Sequence, residues 1–373
     1  MASAEAKPPF RADHVGSLLR SKKLIAAHQA ALEGKLPADE LRALEDAEIR
    51  QAVAMQERVG LHAITDGELR RNNWRDRFFE RVDGFSRDKI PSSFVFTEDG
   101  GEQRRGMPIP VVVGKLRRRA SMTAEDFAFL APLTRQTAKA TLPAPSANHF
   151  FSGDASLKGS PYKDRQAYFA DVTAIYRQEI ADLANAGCRY LQIDEVPIAV
   201  LCDPKNKAIV KSRGEDAEEL ITDYCNAIND AVAGRPAGMT VCVHLCRGNS
   251  GQGQASGGYD PVAERLFGVL NVDGFFLEYD TERSGSFEAL RRVPKGKRVV
   301  LGIVSTKINA VESADYLKRR IDEAARFIDL GQLCLSPQCG FASGFTTDRL
   351  SAEDEERKLA QIVKVAREVW GEA

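Results

Sequence analysis

The residues with the clearest chemical potential lie in one run, Val241-Cys242-Val243-His244-Leu245-Cys246-Arg247-Gly248-Asn249. Thr240 to Leu245 alternates, then gives way to a polar Arg-Gly-Asn turn. Side chains on a β-strand repeat every two residues, so His244 and Cys246 point the same way off the strand end. Imidazole and thiolate are the ligands zinc favours most. The plain alternative is a core cysteine beside a buried histidine. Two later runs weigh against it. Phe275-Phe276-Leu277-Glu278-Tyr279 is apolar up to a carboxylate, and Leu333 to Gly340 carries Cys339 just before its glycine. Three strand ends would then bring His244, Cys246, Glu278 and Cys339 to one place.

Such a set can work in two ways. A closed structural zinc is inert, whereas a site that exchanges a ligand can take up a substrate thiol. Structural zinc usually uses closely spaced pairs. Here the ligands spread from 244 to 339, which suits an active site at the mouth of a barrel. A metal-bound thiol loses its proton near neutral pH, while a free thiol of pKa about 8.5 is only a few per cent ionised. Other polar residues fall at element ends. Glu68 in Asp66-Gly67-Glu68 and Asp194 in Asp194-Glu195 could hold the ammonium of an amino-acid substrate. The turn Val15-Gly16-Ser17 offers backbone N–H groups and a hydroxyl to its carboxylate.

Those residues need a frame that gathers many strand ends. The pattern predicts helices over 37–59, 165–186, 216–233, 261–270 and 313–330, and a last helix from Ser351. Between them lie apolar runs at 61–65, 138–143, 189–193, 240–246, 274–278, 298–304 and from Leu333, with 10–17 as a further candidate strand. Strand and helix alternating about eight times predicts α/β with a parallel sheet, here a single (β/α)8 TIM barrel over 10–373. A doubly wound sheet is the alternative, but it would gather ligands from only two or three adjacent strands. Phe94-Val95-Phe96-Thr97 and Pro110-Val111-Val112-Val113 predict a β-hairpin excursion over about 84–118, a candidate dimer contact or lid. Residues 1–9 read as a disordered lead, and 151–162 as a loop of the kind that covers a site.

Composition narrows the class. A net charge of -1 over 373 residues gives no global field for nucleic acid or an anionic membrane. The local basic runs at 104–105 and 115–119 read as solvated faces, or as contacts for an anionic substrate tail. Seven cysteines at irregular spacing argue against a disulfide framework, and no run approaches the roughly 20 apolar residues of a membrane helix. A reduced, cytoplasmic protein is expected.

The motifs together resemble the cobalamin-independent methionine synthase family, specifically its C-terminal catalytic barrel. They are Val15-Gly16-Ser17, Asp66-Gly67-Glu68-Leu69-Arg70-Arg71-Asn72, Leu191-Gln192-Ile193-Asp194-Glu195, Val243-His244-Leu245-Cys246, Glu278 and Ser336-Pro337-Gln338-Cys339-Gly340. The resemblance implies Zn2+ on His244, Cys246, Glu278 and Cys339. It implies homocysteine at Val15, Gly16, Ser17, Glu68 and Asp194, and methyl transfer to its thiol to give methionine. Three features depart from the family. There is no room for the second, N-terminal barrel of the full-length enzyme. The loop from Phe151 lacks the tryptophan expected to pack on folate. Lys307 stands where the family has a proposed histidine acid, which makes it a candidate catalytic residue. The chain therefore looks like the short single-barrel relatives, with methyltetrahydrofolate, a methylated corrinoid or another molecule as donor. The expected partners are a small thiol and that donor. Two other readings stay open: zinc-dependent alkylation of a different thiol, as in epoxide opening by coenzyme M, and a barrel with structural zinc.

Overall fold

Each of the main apolar runs forms a strand buried on both faces, which is why they read as near-continuous rather than alternating. The computed structural model describes the chain except residues 1–6, 91–92, 99–100, 107–108, 249–254, 343 and 345–349. Most of the disordered lead expected over 1–9, and Asn249 of the central motif, lie outside the described residues. In chain order the strands are β1 (Ala63–Ile64), β2 (Val82–Ile90), β3 (Ser93–Glu98), β4 (Gly101–Gly106), β5 (Ile109–Arg118) and β6 (Thr137–Pro143). They continue as β7 (Tyr190–Glu195), β8 (Thr240–Leu245), β9 (Gly274–Glu278), β10 (Arg298–Val304) and β11 (Leu333–Pro337). The helices are α1 (Lys22–Leu32), α2 (Ala38–Val59), α3 (Asp76–Arg81), α4 (Ala124–Leu130), α5 (Arg165–Asn185) and α6 (Pro197–Val200). After them come α7 (Pro204–Ser212), α8 (Ala217–Val232), α9 (Ala263–Val269), α10 (Ala314–Ala325) and α11 (Ala352–Trp370).

Seven strands make one parallel sheet in the order β1-β6-β7-β8-β9-β10-β11. Strands β2 and β5 pair antiparallel, as do β3 and β4, so the excursion is a long two-part ribbon between β1 and β6. Phe10, Val15, Ala63, Tyr190, Cys242, Phe276, Val300 and Cys334 form one buried cluster. It joins residues of β1 and β11, the two ends of the sheet order, so the sheet curls around it. Across this interior runs a buried ion pair: Lys139 Nζ lies 3.0 Å from Asp13 Oδ1. Tyr190 donates its hydroxyl proton to Asp13 Oδ2 at 2.8 Å.

In place of the eight barrel strands expected, the main sheet has seven among the described residues, and the run at 10–17 contributes a single parallel bridge, Ala12 to Leu335. Two backbone bonds hold it, Asp13 N–H to Leu335 O at 3.0 Å and Leu335 N–H to Arg11 O at 2.8 Å. The rest of the run leaves the ladder because Asp13 takes its donors. The Asp13 carboxylate accepts from the Phe10 and His14 N–H groups. Gly16 then turns the chain at φ +135°, and Leu18 N–H reaches Gly67 O beyond β1 at 3.0 Å. β1 is shorter than the 61–65 run because Gln56 of α2 serves as its partner. The Gln56 amide donates to Thr65 O and accepts from Thr65 N–H, both at 2.9 Å. The helix expected over 313–330 ends at Ala325, and a separate turn, Leu330–Gln332, is capped by Asp329. No helix among the described residues is long and apolar enough to cross a membrane.

Candidate metal centre

Strands β8 and β9 and the turn after β11 carry the four expected metal ligands to one end of the sheet. His244 lies in β8, Cys246 just past its end, Glu278 at the end of β9 and Cys339 two residues past β11. One donor atom from each lies within 4.8 Å of the other three, and all four residues are buried. The Cys246 and Cys339 sulfurs are 3.3 Å apart. Among the described residues, neither ring nitrogen of His244 meets a hydrogen-bond partner, and Glu278 Oε1 has none. The Phe276 carbonyl lies near enough to the ring to favour its protonation, but outside hydrogen-bond geometry.

The electrostatics are those of a hole for a cation. Burial, then Lys139, pushes the His244 imidazole down to about 3, so the ring is neutral with a lone pair to give. The contact with Cys339, then burial, raises the Cys246 thiol far above its usual range. Burial and the neighbouring Cys246 raise the Glu278 carboxyl. Glu278 Oε2 and Cys246 Sγ each accept a backbone N–H, from Arg247 and Gly248. The His244 nitrogens and Glu278 Oε1 are buried without donors among the described residues, which is costly unless something positive sits among them. Two sulfurs, an imidazole and a carboxylate are a donor set zinc takes. A second group, His149, Asp154 and Glu215, also comes within range of a shared ion. Its bonds are already made: His149 meets Tyr224 Oη and Asp154 Oδ1, each at 3.0 Å, and Glu215 accepts from the Asp154 N–H.

The residues expected to hold an amino acid stand beside the four ligands. Asp194 is the cross-strand partner of His244. Burial, then the charge of Glu68, pushes its carboxyl up to about 8. Glu68 has φ +58°, the one non-glycine residue with positive φ among the described residues. That strained backbone is held by Asp66 Oδ1, which accepts the Glu68 N–H at 2.9 Å, and by Arg20, which donates to Glu68 O at 2.8 Å. Ser17 packs on the turn after β11, and its backbone oxygen accepts from the Phe341 N–H at 2.9 Å. A Cβ on Gly340 would stand 1.9 Å from Ser17 Oγ, so this glycine is what lets Ser17 sit against the turn that carries Cys339. Val15 and Gly16 are tied in by Gln192, which donates to Val15 O at 2.6 Å, and by Thr65, whose hydroxyl donates to Gly16 O at 2.6 Å. Lys307 follows β10, half-buried, with its N–H donated to Ser305 Oγ at 3.1 Å. Its charge lowers the proton affinity of Cys246, Glu278 and Asp280.

Several supporting residues escaped the sequence reading. Thr141 donates its hydroxyl proton to Glu68 Oε1 at 2.8 Å, and Arg71 donates to the same hydroxyl oxygen at 2.9 Å. Gln192 donates to Asp194 Oδ1 at 2.7 Å. Gln192 and Asp194 share a face of β7 by the two-residue period, so this one was within reach. Arg247 is buried beside Cys246, with its guanidinium over the Tyr259 ring and bonded to Glu278 O at 3.0 Å.

A family model described as the cobalamin-independent synthase catalytic domain matches residues 10–368. The chain belongs to the cobalamin-independent methionine synthase family. Among its relatives is the uncharacterized protein YxjH of Bacillus subtilis (strain 168), 42% identical over 98% of this chain and 96% of that protein. The 5-methyltetrahydropteroyltriglutamate–homocysteine methyltransferase of Salmonella arizonae is 24% identical over 96% of this chain but only 43% of its own length. The chain thus spans less than half of that longer enzyme. A crystal structure from Listeria monocytogenes, of a protein provisionally described as a vitamin-B12 independent methionine synthase, is 34% identical with a TM-score of 0.74. The match covers 99% of this chain and 100% of that one. Membership in the cobalamin-independent methionine synthase family supports a methionine-synthase-like methyltransferase activity at family level.

Proposed function

We propose that the protein is a zinc-dependent methyltransferase that methylates the thiol of homocysteine to give methionine. The observation that carries this reading is the adjacency of His244 and Asp194 on neighbouring strands, which sets an ammonium-binding acid beside a four-donor metal cluster. In this reading the 10–17 segment is the eighth stave of a closed (β/α)8 barrel. His244, Cys246, Glu278 and Cys339 would hold zinc. When bound, zinc there supplies a positive centre at which a substrate thiol gives up its proton near neutral pH.

The chain's own residues do the rest. Glu68 and Asp194 take the substrate ammonium, and the Val15-Gly16-Ser17 turn takes its carboxylate. Thr141 and Arg71 fix the Glu68 carboxylate, and Gln192 fixes Asp194, so both acids are in place before substrate arrives. Lys307, after β10, places positive charge beside the centre and is the candidate catalytic residue. The donor is methyltetrahydrofolate or a methylated corrinoid. Seven cysteines without a disulfide suit a cytoplasmic enzyme.

The test is zinc-edge X-ray absorption on purified protein, with and without homocysteine, followed by assay of methionine with each donor. A resting shell of two sulfurs with nitrogen and oxygen, gaining a third sulfur on addition, is expected. A shell that ignores homocysteine but responds to another thiol would move the enzyme to that thiol. A shell that ignores every thiol would leave a structural zinc.

A further inference from the structure

Arg75 is 7% exposed and sits in the loop after β1, seven residues beyond Glu68. Its Nε and Nη1 are buried and meet no hydrogen-bond acceptor among the described residues. No ion pair of its guanidinium is present among them. The group lies over the Phe151 ring, 4.9 Å from its centroid. Phe151 lies in the connection after β6, whose first residue, Ala144, donates its N–H to Asp194 O at 2.9 Å. The loop after β1 thus carries both Glu68 and Arg75, and the loop after β6 starts beside Asp194 of the neighbouring β7. The aromatic floor continues from Phe151 to Phe150, 5.3 Å away, and on to Phe94 of β3, stacked on Phe150 at 4.4 Å. A second guanidinium, Arg213, lies over the Phe94 ring at 4.6 Å.

A buried cation without a counter-charge is costly, and the Phe151 ring returns only part of that cost. Burial drives the Arg75 guanidinium down to about 10, with only the nearby Asp76 opposing it. The planar fork of arginine matches the two oxygens of a carboxylate or phosphate. We propose that Arg75, seated on Phe151, is the specificity-determining residue of a second subsite at this mouth, which takes the oxyanion group of the co-substrate that meets the thiol. The inference rests on the thiol-transfer reading for the identity of the first substrate. The anion site itself stands on Arg75 alone.

The test uses isothermal titration of the intact, metal-loaded protein in low-salt buffer, with inorganic phosphate and with glutarate as probes. One of the two should bind, which separates a phosphate from a carboxylate co-substrate. Arg75→Met should weaken that probe by about tenfold or more, since a hydrogen-bonded charge contact is worth roughly 1.5–3 kcal/mol. Arg75→Lys should fall between, because it keeps the charge and loses the fork; it also carries the test if Arg75→Met does not fold. Zinc content should be unchanged in both. Binding of neither probe by the parent protein, or equal binding by parent and both variants, overturns the proposal. Zinc-edge spectra with homocysteine separate the two readings. Arg75-dependent anion binding without a thiol response would sink the homocysteine assignment and leave this subsite standing.

Discussion

A carboxyl group that is neutral near pH 7 binds an ammonium ion only by giving up its own proton. Asp194 is in that position, with its carboxyl raised to about 8 by burial and by Glu68. Affinity for an aminothiol should therefore rise from pH 6 to 8 and level off where Asp194 is already ionised. Asp194→Asn should flatten that slope, weaken binding about tenfold to a hundredfold and keep the metal. Loss of metal instead would make Asp194 part of the metal site. The same shift has a stability sign. The folded state keeps a proton that the unfolded chain releases above its ordinary value of 3.8, so stability falls as pH climbs from about 4 through 8. The ligand-free Asn variant should show a shallower decline in Tm over that range; parallel curves would refute the shift. For the proposed metal ligands, Cys246→Ser and Cys339→Ser should each lose metal and activity together, read by elemental analysis and turnover. A variant that keeps full metal would remove that cysteine from the ligand set.

At the level of elements, the site is a matter of how strands stop. Gly340 allows Ser17 to lie against the turn after β11. Gly340→Ala should push Ser17 aside, raise KM for the aminothiol and leave zinc bound, at a stability cost of about 1–3 kcal/mol for the overpacked contact. Unchanged KM would show that Ser17 does not touch substrate. This level also shows what a sequence reveals. His244, Cys246, Glu278 and Cys339 were legible because each follows an apolar run, and because the two-residue period fixes which side chains share a face. Thr141 and Arg71 were not: their roles exist only once β6 lies beside β1 and the loop after β1 folds over both. The 10–17 run was read as a strand, yet Asp13 diverts its backbone donors, a competition that no hydrophobic pattern records. Gln56 completing β1 from a helix is illegible for the same reason.

For the molecule as a whole, the Asp13–Lys139 pair ties the N-terminal segment into the curled sheet. Both side chains are fully buried, and Lys139 Nζ stands 4.1 Å from the Phe276 ring centroid. Lys139→Met strands the Asp13 charge and should cost about 3–5 kcal/mol, read by urea denaturation. Adding Asp13→Asn should recover part of that loss; a double variant weaker than Lys139→Met alone would show that the pair is not coupled. The single bridge between Ala12 and Leu335 bears on time as well as on shape. A ribosome adding about 5–20 residues each second needs tens of seconds to travel from one to the other. Through that interval the segment bearing Ser17 has no final strand to lean on, and the turn with Cys339 does not yet exist. In the proposed reading the metal site and the substrate grip form only near the end of synthesis, so a chain halted before Leu333 should leave residues 10–20 open to proteases.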